Sequence, residues 1–102
     1  MMPAPTLKEG DTLVFTWNER TLVVKNRLDF EKQVLSHLDE AGIHVIDFSH
    51  CGYIDSSAWG VILRLSMKMS EQGKKLKIAG LTGDARELFD HMKLGAVLDV
   101  VE

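Results

Sequence analysis

The chain has little cysteine, little proline and no long apolar run, and each shortage removes a class of protein. One of its 102 residues is a cysteine and two are prolines. The single thiol, Cys51, cannot form an internal disulfide, and a lone thiol is typical of a reducing compartment. No stretch approaches the roughly 18 apolar residues of a membrane span, and the N-terminus has no apolar signal-peptide core. We therefore expect a cytoplasmic protein without direct membrane contact.

An excess of positive charge is also missing. The formal net charge is -3, whereas a protein that binds nucleic acid needs a basic surface to displace counterions from the phosphates. Lys74, Lys75 and Lys77 do cluster, but lysines around a turn usually form a solvated face that protects a strand edge. We expect no nucleic-acid partner.

Motifs for catalysis and cofactor binding are absent from the sequence. It has neither the G-x-x-x-x-G-K-[ST] loop nor the G-x-G-x-x-G turn that hold nucleotide phosphates, and no G-x-S-x-G elbow. The four histidines are far apart and show no metal-ligand spacing. Asp47 and Asp55 could pair as carboxylates, but a domain of this size offers little room for a substrate cleft. We expect no enzymatic activity, no cofactor and no metal.

What is present is the composition of one globular domain, with 45% hydrophobic and 26% charged residues. Residues 1–9 hold both prolines and no apolar period, and we predict a mobile lead-in there and a domain over 10–102. Two β-rich runs, Leu13–Trp17 and Thr21–Val24, are predicted to form a hairpin across the three residues between them.

Helical and strand periods then alternate along the rest of the chain, which is typical of an α/β layer architecture. We predict a first helix capped by Asp29 and stopped by Gly42, a second after the serine pair, and a third capped by Gly95. A continuous apolar run after Gly42 predicts a central strand covered on both faces. The predicted later elements are strand Ile43–Phe48, helix Ser57–Gln72, strand Leu76–Ala79, helix Asp84–Met92 and strand Val97–Val101.

The long second helix has two apolar stripes. One arc would pack on the sheet, while Trp59, Leu63 and Met67 form a separate stripe at i, i+4 and i+8. Either a neighbouring helix covers this second stripe, or it stays partly exposed as a protein-binding surface with Trp59 as its anchor. The sequence leaves both interpretations open.

The polar run Asp55-Ser56-Ser57 lies directly before this helix. By itself it is ordinary N-terminal capping, in which a side-chain oxygen accepts a hydrogen bond from the first turn. Its context gives it a second interpretation, because Ser56 would lie at an exposed helix start beside the Trp59 stripe. The serine pair is therefore a candidate cap and a candidate functional site.

These residues resemble the STAS family, and in particular the bacterial anti-sigma factor antagonists. The strand ending in Asp47-Phe48-Ser49 is similar to the family's D-[LF]-S, and Asp55-Ser56-Ser57 through Gly60 is similar to its D-S-[ST]-G-L-G helix start. Weaker similarities lie at Leu28-Asp29, Lys74–Leu81 and Arg86–Leu94. The resemblance implies a single STAS-like α/β domain. It would have a mixed sheet of about four or five strands, with about three or four helices mainly on one side.

The resemblance also implies a regulatory cycle. An anti-sigma factor that is a serine kinase would phosphorylate Ser56 with its own ATP, and a PP2C-type phosphatase would remove the phosphate. The unmodified form would dock on the anti-sigma factor, and the phosphorylated form would be released. Asp55, Ser57 and Asp47 would be the neighbours of the phosphorylation site. The docking contacts would be Trp59, Leu63, Met67 and Asp29.

The chain departs from the family pattern at Ala58 and Trp59, which replace a glycine and a leucine, and at Lys25-Asn26-Arg27, which replaces a glycine-containing turn. A bulky tryptophan at a docking edge would select its own partner pocket. The main alternative function is a constitutive STAS subunit of an ABC-type lipid transporter, in which the helix start is contact surface only. A small hydrolase with Ser56 as nucleophile is the third.

Overall fold

The structure is a computed structural model and describes residues 3–101. Strands and helices alternate after an N-terminal pair of strands. The strands are β1 (Thr6–Glu9), β2 (Thr12–Thr16), β3 (Thr21–Leu22), β4 (Ile43–Asp47), β5 (Tyr53–Ile54), β6 (Lys75–Ala79) and β7 (Asp99–Val101). The α-helices are α1 (Arg27–Leu35), α2 (Ser56–Glu71) and α3 (Gly83–His91), with short 3-10 helices at Leu38–Glu40 and Leu94–Ala96.

Five strands form a mixed sheet in the order β1-β2-β4-β6-β7. β1 is antiparallel to β2, and the other neighbours are parallel. β3 and β5 form a separate two-stranded parallel ladder. Parallel neighbours need a crossover connection, and α2 and α3 occupy two of these connections. The predicted α/β class and mixed sheet are confirmed.

The register places the buried strand residues on one face of the sheet. Leu13, His44 and Leu76 form one buried row across β2, β4 and β6, and Phe15, Ile46 and Ile78 form the next. Side chains between these rows point to the opposite face and stay partly exposed. The helices therefore cover one face, as predicted, but the prediction that β4 is covered on both faces is wrong.

The N-terminal segment contributes a strand. β1 pairs with β2, and the preceding residues are also tied down: Pro5 O accepts a 3.0 Å hydrogen bond from Thr16 N, and Ala4 N donates to Gln33 Oε1 at 2.7 Å. The prediction of a mobile lead-in is thus wrong over Thr6–Glu9. All four residues are exposed at the sheet edge, so no apolar period marks the strand. For Met1 and Met2 that prediction lies outside the described residues.

The predicted hairpin between β2 and β3 does not form. β3 leaves the main sheet and pairs with β5, with Thr21 opposite Tyr53 and Leu22 opposite Ile54. A three-residue hairpin loop usually has a glycine at its last, left-handed position, and the connecting Asn18-Glu19-Arg20 has an arginine there. β2 forms its hairpin with β1 instead, through Gly10 at φ +59.

Three predicted helix boundaries also need correction. α1 begins at Arg27 after Asn26, so Asp29 lies within its first turn and is not the cap. This helix ends at Leu35, before Gly42, because a separate 3-10 helix intervenes. After α3 the residue in the left-handed conformation is Lys93, at φ +57, and Gly95 lies inside the second 3-10 helix. The bounds of α2 are within one residue of those predicted.

Candidate functional site

Asp55 organises the junction between β5 and α2. It has an extended conformation at the N-cap, and its Oδ1 accepts hydrogen bonds from Ala58 N at 2.8 Å and from Ser57 Oγ at 2.7 Å. Its Oδ2 accepts a hydrogen bond from Val24 N at 3.0 Å. The carboxylate therefore joins the start of α2 to the turn between β3 and α1.

The same contacts favour the ionised carboxylate. Burial opposes ionisation and by itself would raise the pKa of Asp55. The hydrogen bonds from Ser57, Ala58 and Val24, together with the positive charge of Arg27, outweigh burial and lower this pKa below its ordinary value. Asp55 is thus a charged, fully engaged cap at neutral pH.

The two serines after Asp55 have different environments. Ser57 is half-buried, and its hydroxyl donates to Asp55. Ser56 is exposed as the first residue of α2, and its hydroxyl makes no hydrogen bond within residues 3–101. The first turn of a helix has unpaired N–H groups and a partial positive charge, which favour a negatively charged group at this position. Ser56 is therefore the accessible hydroxyl of the pair.

Asp47 serves the neighbouring loop. Its Oδ1 accepts a 2.9 Å hydrogen bond from Ser49 N. Gly80 packs directly on this turn, since a Cβ at Gly80 would lie 2.6 Å from the Asp47 carboxylate and 2.7 Å from Ser49 N. In the described part of the chain Asp47 makes no hydrogen bond to either serine, so its evident role is to shape the loop that leads to β5.

Trp59 is not exposed. It has 0% accessibility and packs between Phe48, at a ring-centroid distance of 6.4 Å, and Phe89 of α3, at 5.3 Å. The prediction that Trp59 is a docking contact is wrong, because a neighbouring helix covers its side of α2. Its buried indole N–H has no hydrogen-bond partner among the described residues.

The rest of the predicted stripe turns towards solvent. Leu63 is half-buried and Met67 is 65% exposed. At 100° per residue, Ser56, Gly60, Leu63 and Met67 lie on one face of α2, and we call these four residues the α2 ridge. A shallow groove of about 500 Å³ runs along it. The groove is lined by Gly60, Leu63, Arg64, Met67, Lys68 and Glu71.

Asp29, the remaining predicted contact, lies on a different surface. Its Oδ2 accepts a 2.8 Å hydrogen bond from Gln33 Nε2, one turn further along α1. It lines a second groove, of about 550 Å³, beside β3 and the start of α1. Asp29 is not among the residues that line the groove along the α2 ridge.

Two exposed apolar residues near the site were missed from the sequence. Val24 and Leu28 are 62% and 60% exposed, and Val24 is the residue whose N–H binds Asp55. The sequence does not show that they are exposed. In the sequence, Val24 resembles the end of a buried strand, and Leu28 resembles the start of a buried helix face. Because Val24 N is bonded to Asp55, the residue before Ser56, Val24 lies near the exposed hydroxyl of Ser56.

Other chemistry has little support in the described residues. Within residues 3–101 no group of histidine, cysteine, aspartate and glutamate side chains is arranged to hold a metal ion. Burial raises the pKa of the Cys51 thiol to about 11, so this cysteine is a poor nucleophile at neutral pH. None of the described helices combines the length and apolar character needed to cross a membrane.

The sequence matches the STAS domain family over residues 5–102, and the chain belongs to this family. No curated protein sequence matches it. Among solved structures, it is similar to TM1081 of Thermotoga maritima, assigned as an anti-sigma factor antagonist. Here the TM-score is 0.86 and the identity 19%, over 97% of this chain and 86% of that one.

Three further structures, of two proteins with different roles, are also similar to this chain. The anti-sigma factor antagonist SpoIIAA matches in its unphosphorylated form with a TM-score of 0.69 and 11% identity, over 97% of this chain and 87% of that one. The phosphorylated form of SpoIIAA from Bacillus matches with a TM-score of 0.67 and 13% identity, over 97% of this chain and 91% of that one. The murine anion transporter Slc26a9 matches with a TM-score of 0.73 and 15% identity, over 83% of this chain but 14% of that one. At these identities the likenesses establish the fold.

Proposed function

We propose that this protein is a bacterial, cytoplasmic anti-sigma factor antagonist that switches partners through phosphorylation of Ser56. The observation that carries the proposal is the difference between the two serines: Ser56 presents a free, exposed hydroxyl on the α2 ridge, while Ser57 is bonded to Asp55. A kinase can reach the first hydroxyl without breaking the cap. The likeness to an antagonist known in phosphorylated and unphosphorylated forms supports the same function.

The surface around Ser56 explains how such a switch would work. Leu63 and Met67 lie on the same face of α2 as the neutral hydroxyl of Ser56, and the exposed Val24 is bonded to the preceding residue, Asp55. A phosphate adds about -1.5 to -2 charges at pH 7. The start of α2 accommodates that charge within the free domain, but a partner surface shaped for a neutral hydroxyl would have to remove water from it. The phosphorylated protein should therefore keep its fold and lose its partner.

The proposal assigns the chemistry to the partners. The anti-sigma factor would be a serine kinase that binds ATP, and a PP2C-type phosphatase would restore the hydroxyl. This chain would contribute the phosphoacceptor and the docking surface, and no catalytic group.

The test is to incubate the protein with serine-kinase anti-sigma factors and ATP, and to locate the phosphate by fragment-ion mass spectrometry. We expect one phosphate, on Ser56. Ser56→Ala should abolish its incorporation, whereas Ser57→Ala should allow it. Phosphate on Ser57 alone, or none with every kinase of this class, would contradict the proposed mechanism.

A constitutive subunit of an ABC-type lipid transporter is the second candidate, and the occurrence of this fold within the Slc26a9 transporter favours it. In that case the α2 ridge would be contact surface and Ser56 would never be modified. Affinity purification of the native protein separates the two functions. The first predicts a kinase-fold partner, and the second predicts an ATPase with its membrane subunits.

A further inference from the structure

We propose that Arg27 is the cation that pairs with the phosphate on Ser56 and holds it in its doubly charged form. This inference rests on the proposed function, because it concerns the modified state of the same residue. It gives a role to the basic turn Lys25-Asn26-Arg27, which has no counterpart in the family pattern described above.

Two contacts place Arg27 opposite the start of α2. The turn before α1 is bonded to the cap of α2 through Val24 N and Asp55. Further along the two helices, Glu31 of α1 pairs with Arg64 of α2, at 2.8 and 2.9 Å. The two helices therefore lie side by side and run in the same direction. Arg27 lies between these two contacts along α1, and it shares a helix face with Glu31 at i and i+4. That face is directed at the first turns of α2.

The side chain of Arg27 also has an unsatisfied donor in the unmodified protein. Its Nε atom is inaccessible to solvent and has no hydrogen-bond partner in the described structure. Its charge acts on Asp55, but the Asp55 oxygens already accept three hydrogen bonds from other donors. By contrast, Arg64, the other arginine between these helices, is engaged through two nitrogens by Glu31. A buried donor without an acceptor is unfavourable, and a phosphate oxygen would satisfy it.

The first turns of α2 leave space for a phosphate. Gly60 lies one turn after Ser56 on the α2 ridge, and a Cβ built there would meet no atom within 4 Å. The nearby guanidinium would stabilise the dianion over the monoanion, and so lower the second pKa of the phosphate from its ordinary value of about 6. The released state would then keep its full charge when the pH falls towards 6.

The experiment uses the full chain with phosphoserine incorporated at position 56 during translation, so that no kinase is needed. A phosphorus NMR titration between pH 4 and 8 measures the phosphate pKa. We expect it to be lower by about half a unit or more in the parent chain than in Arg27→Gln. Lys25→Gln is the matched control, because it removes the same charge at a different place. Lys25 lines the groove that also contains Glu19 and Asp29. This control variant should keep the parent value.

A second measurement does not depend on a charge-removing variant. The Arg27 Nε–H signal in a proton–nitrogen spectrum should move on phosphorylation, because its hydrogen gains an acceptor. Arg27→Lys identifies the signal by its loss and should retain part of the pKa difference. Equal phosphate pKa values in the parent and Arg27→Gln chains, equal effects of both glutamine variants, or an unmoved Nε–H signal would overturn the proposal. A failed kinase assay would instead count against the proposed function alone.

Discussion

At the scale of single residues, Asp55 makes more of the hydrogen bonds that form the site than Ser56 or Ser57 does. One carboxylate caps α2, orients Ser57 and holds the β3–α1 turn through Val24 N. Ser56 is left exposed because its neighbour satisfies the helix end. Asp55 therefore stabilises the start of the helix, and the adjacent Ser56 keeps an accessible hydroxyl.

The Asp55 contacts predict a pH-dependent contribution to stability. Because the folded pKa is lowered, the ionised group stabilises the fold above the unfolded pKa of about 3.9, and this stabilisation is lost as the pH falls through the folded value. Asp55→Ala should lower the free energy of unfolding by about 1–2 kcal/mol at pH 7, the usual cost of losing an N-cap.

Urea unfolding at pH 7 and at pH 3 checks this prediction. The difference in the free energy of unfolding between the parent chain and Asp55→Ala should be smaller at pH 3 than at pH 7. Ser56→Ala is the control and should change stability little at either pH, because its hydroxyl makes no hydrogen bond among residues 3–101. A difference for Asp55→Ala that is equally large at both pH values would show that the charge of the carboxylate does not matter.

At the scale of elements, α2 has a buried side and an exposed side, and the predicted second stripe is divided between them. Trp59 belongs to the core with Phe48 and Phe89, whereas Met67 faces solvent. Position on the helix decides this, since Trp59 turns towards α3 and Met67 lies on the ridge with Ser56. The family difference at Trp59 therefore affects the packing against α3 and not the exposed α2 ridge.

The exposed part of the stripe gives a binding prediction. Met67→Glu should weaken binding to the anti-sigma factor by about tenfold or more, because a charge would have to be buried in the interface. It should leave the thermal unfolding midpoint almost unchanged, as is usual for exposed positions. Isothermal titration calorimetry measures the affinity. Met92→Glu, at an exposed methionine of another part of the surface, is the control. Equal affinities for the two variants would remove the α2 ridge from the docking surface.

At the scale of the whole molecule, the mixed sheet depends on its N-terminal edge. β1 covers β2, and together with the Ala4 and Pro5 contacts it ties the N-terminus to the domain. Without β1, the parallel part of the sheet would end in a free strand with a partly exposed apolar face. Such edges favour association between chains.

Deletion of residues 1–9 should therefore destabilise the domain and promote self-association. At roughly 0.5–1.5 kcal/mol for each lost backbone hydrogen bond, we expect a loss of about 2 kcal/mol or more. Urea unfolding measures the loss, and size-exclusion chromatography with light scattering measures the association. Deletion of residues 1–3 is the control, because it keeps Ala4, Pro5 and β1. A 1–9 deletion that matches this control in both measurements would mean that β1 is dispensable.

The sequence by itself determined the α/β class, the order of the main elements from β4 onwards and the capped helix start at Asp55–Ser57. Apolar periodicity and capping residues are local signals, and they survive in any tertiary context that buries the same faces. Tertiary structure alone decided that β1 joins the sheet, that β3 pairs with β5, that Trp59 is buried and that the charge of Arg27 acts on Asp55. Each of these outcomes depends on which distant segment lies alongside, and no pattern within a single segment contains that information.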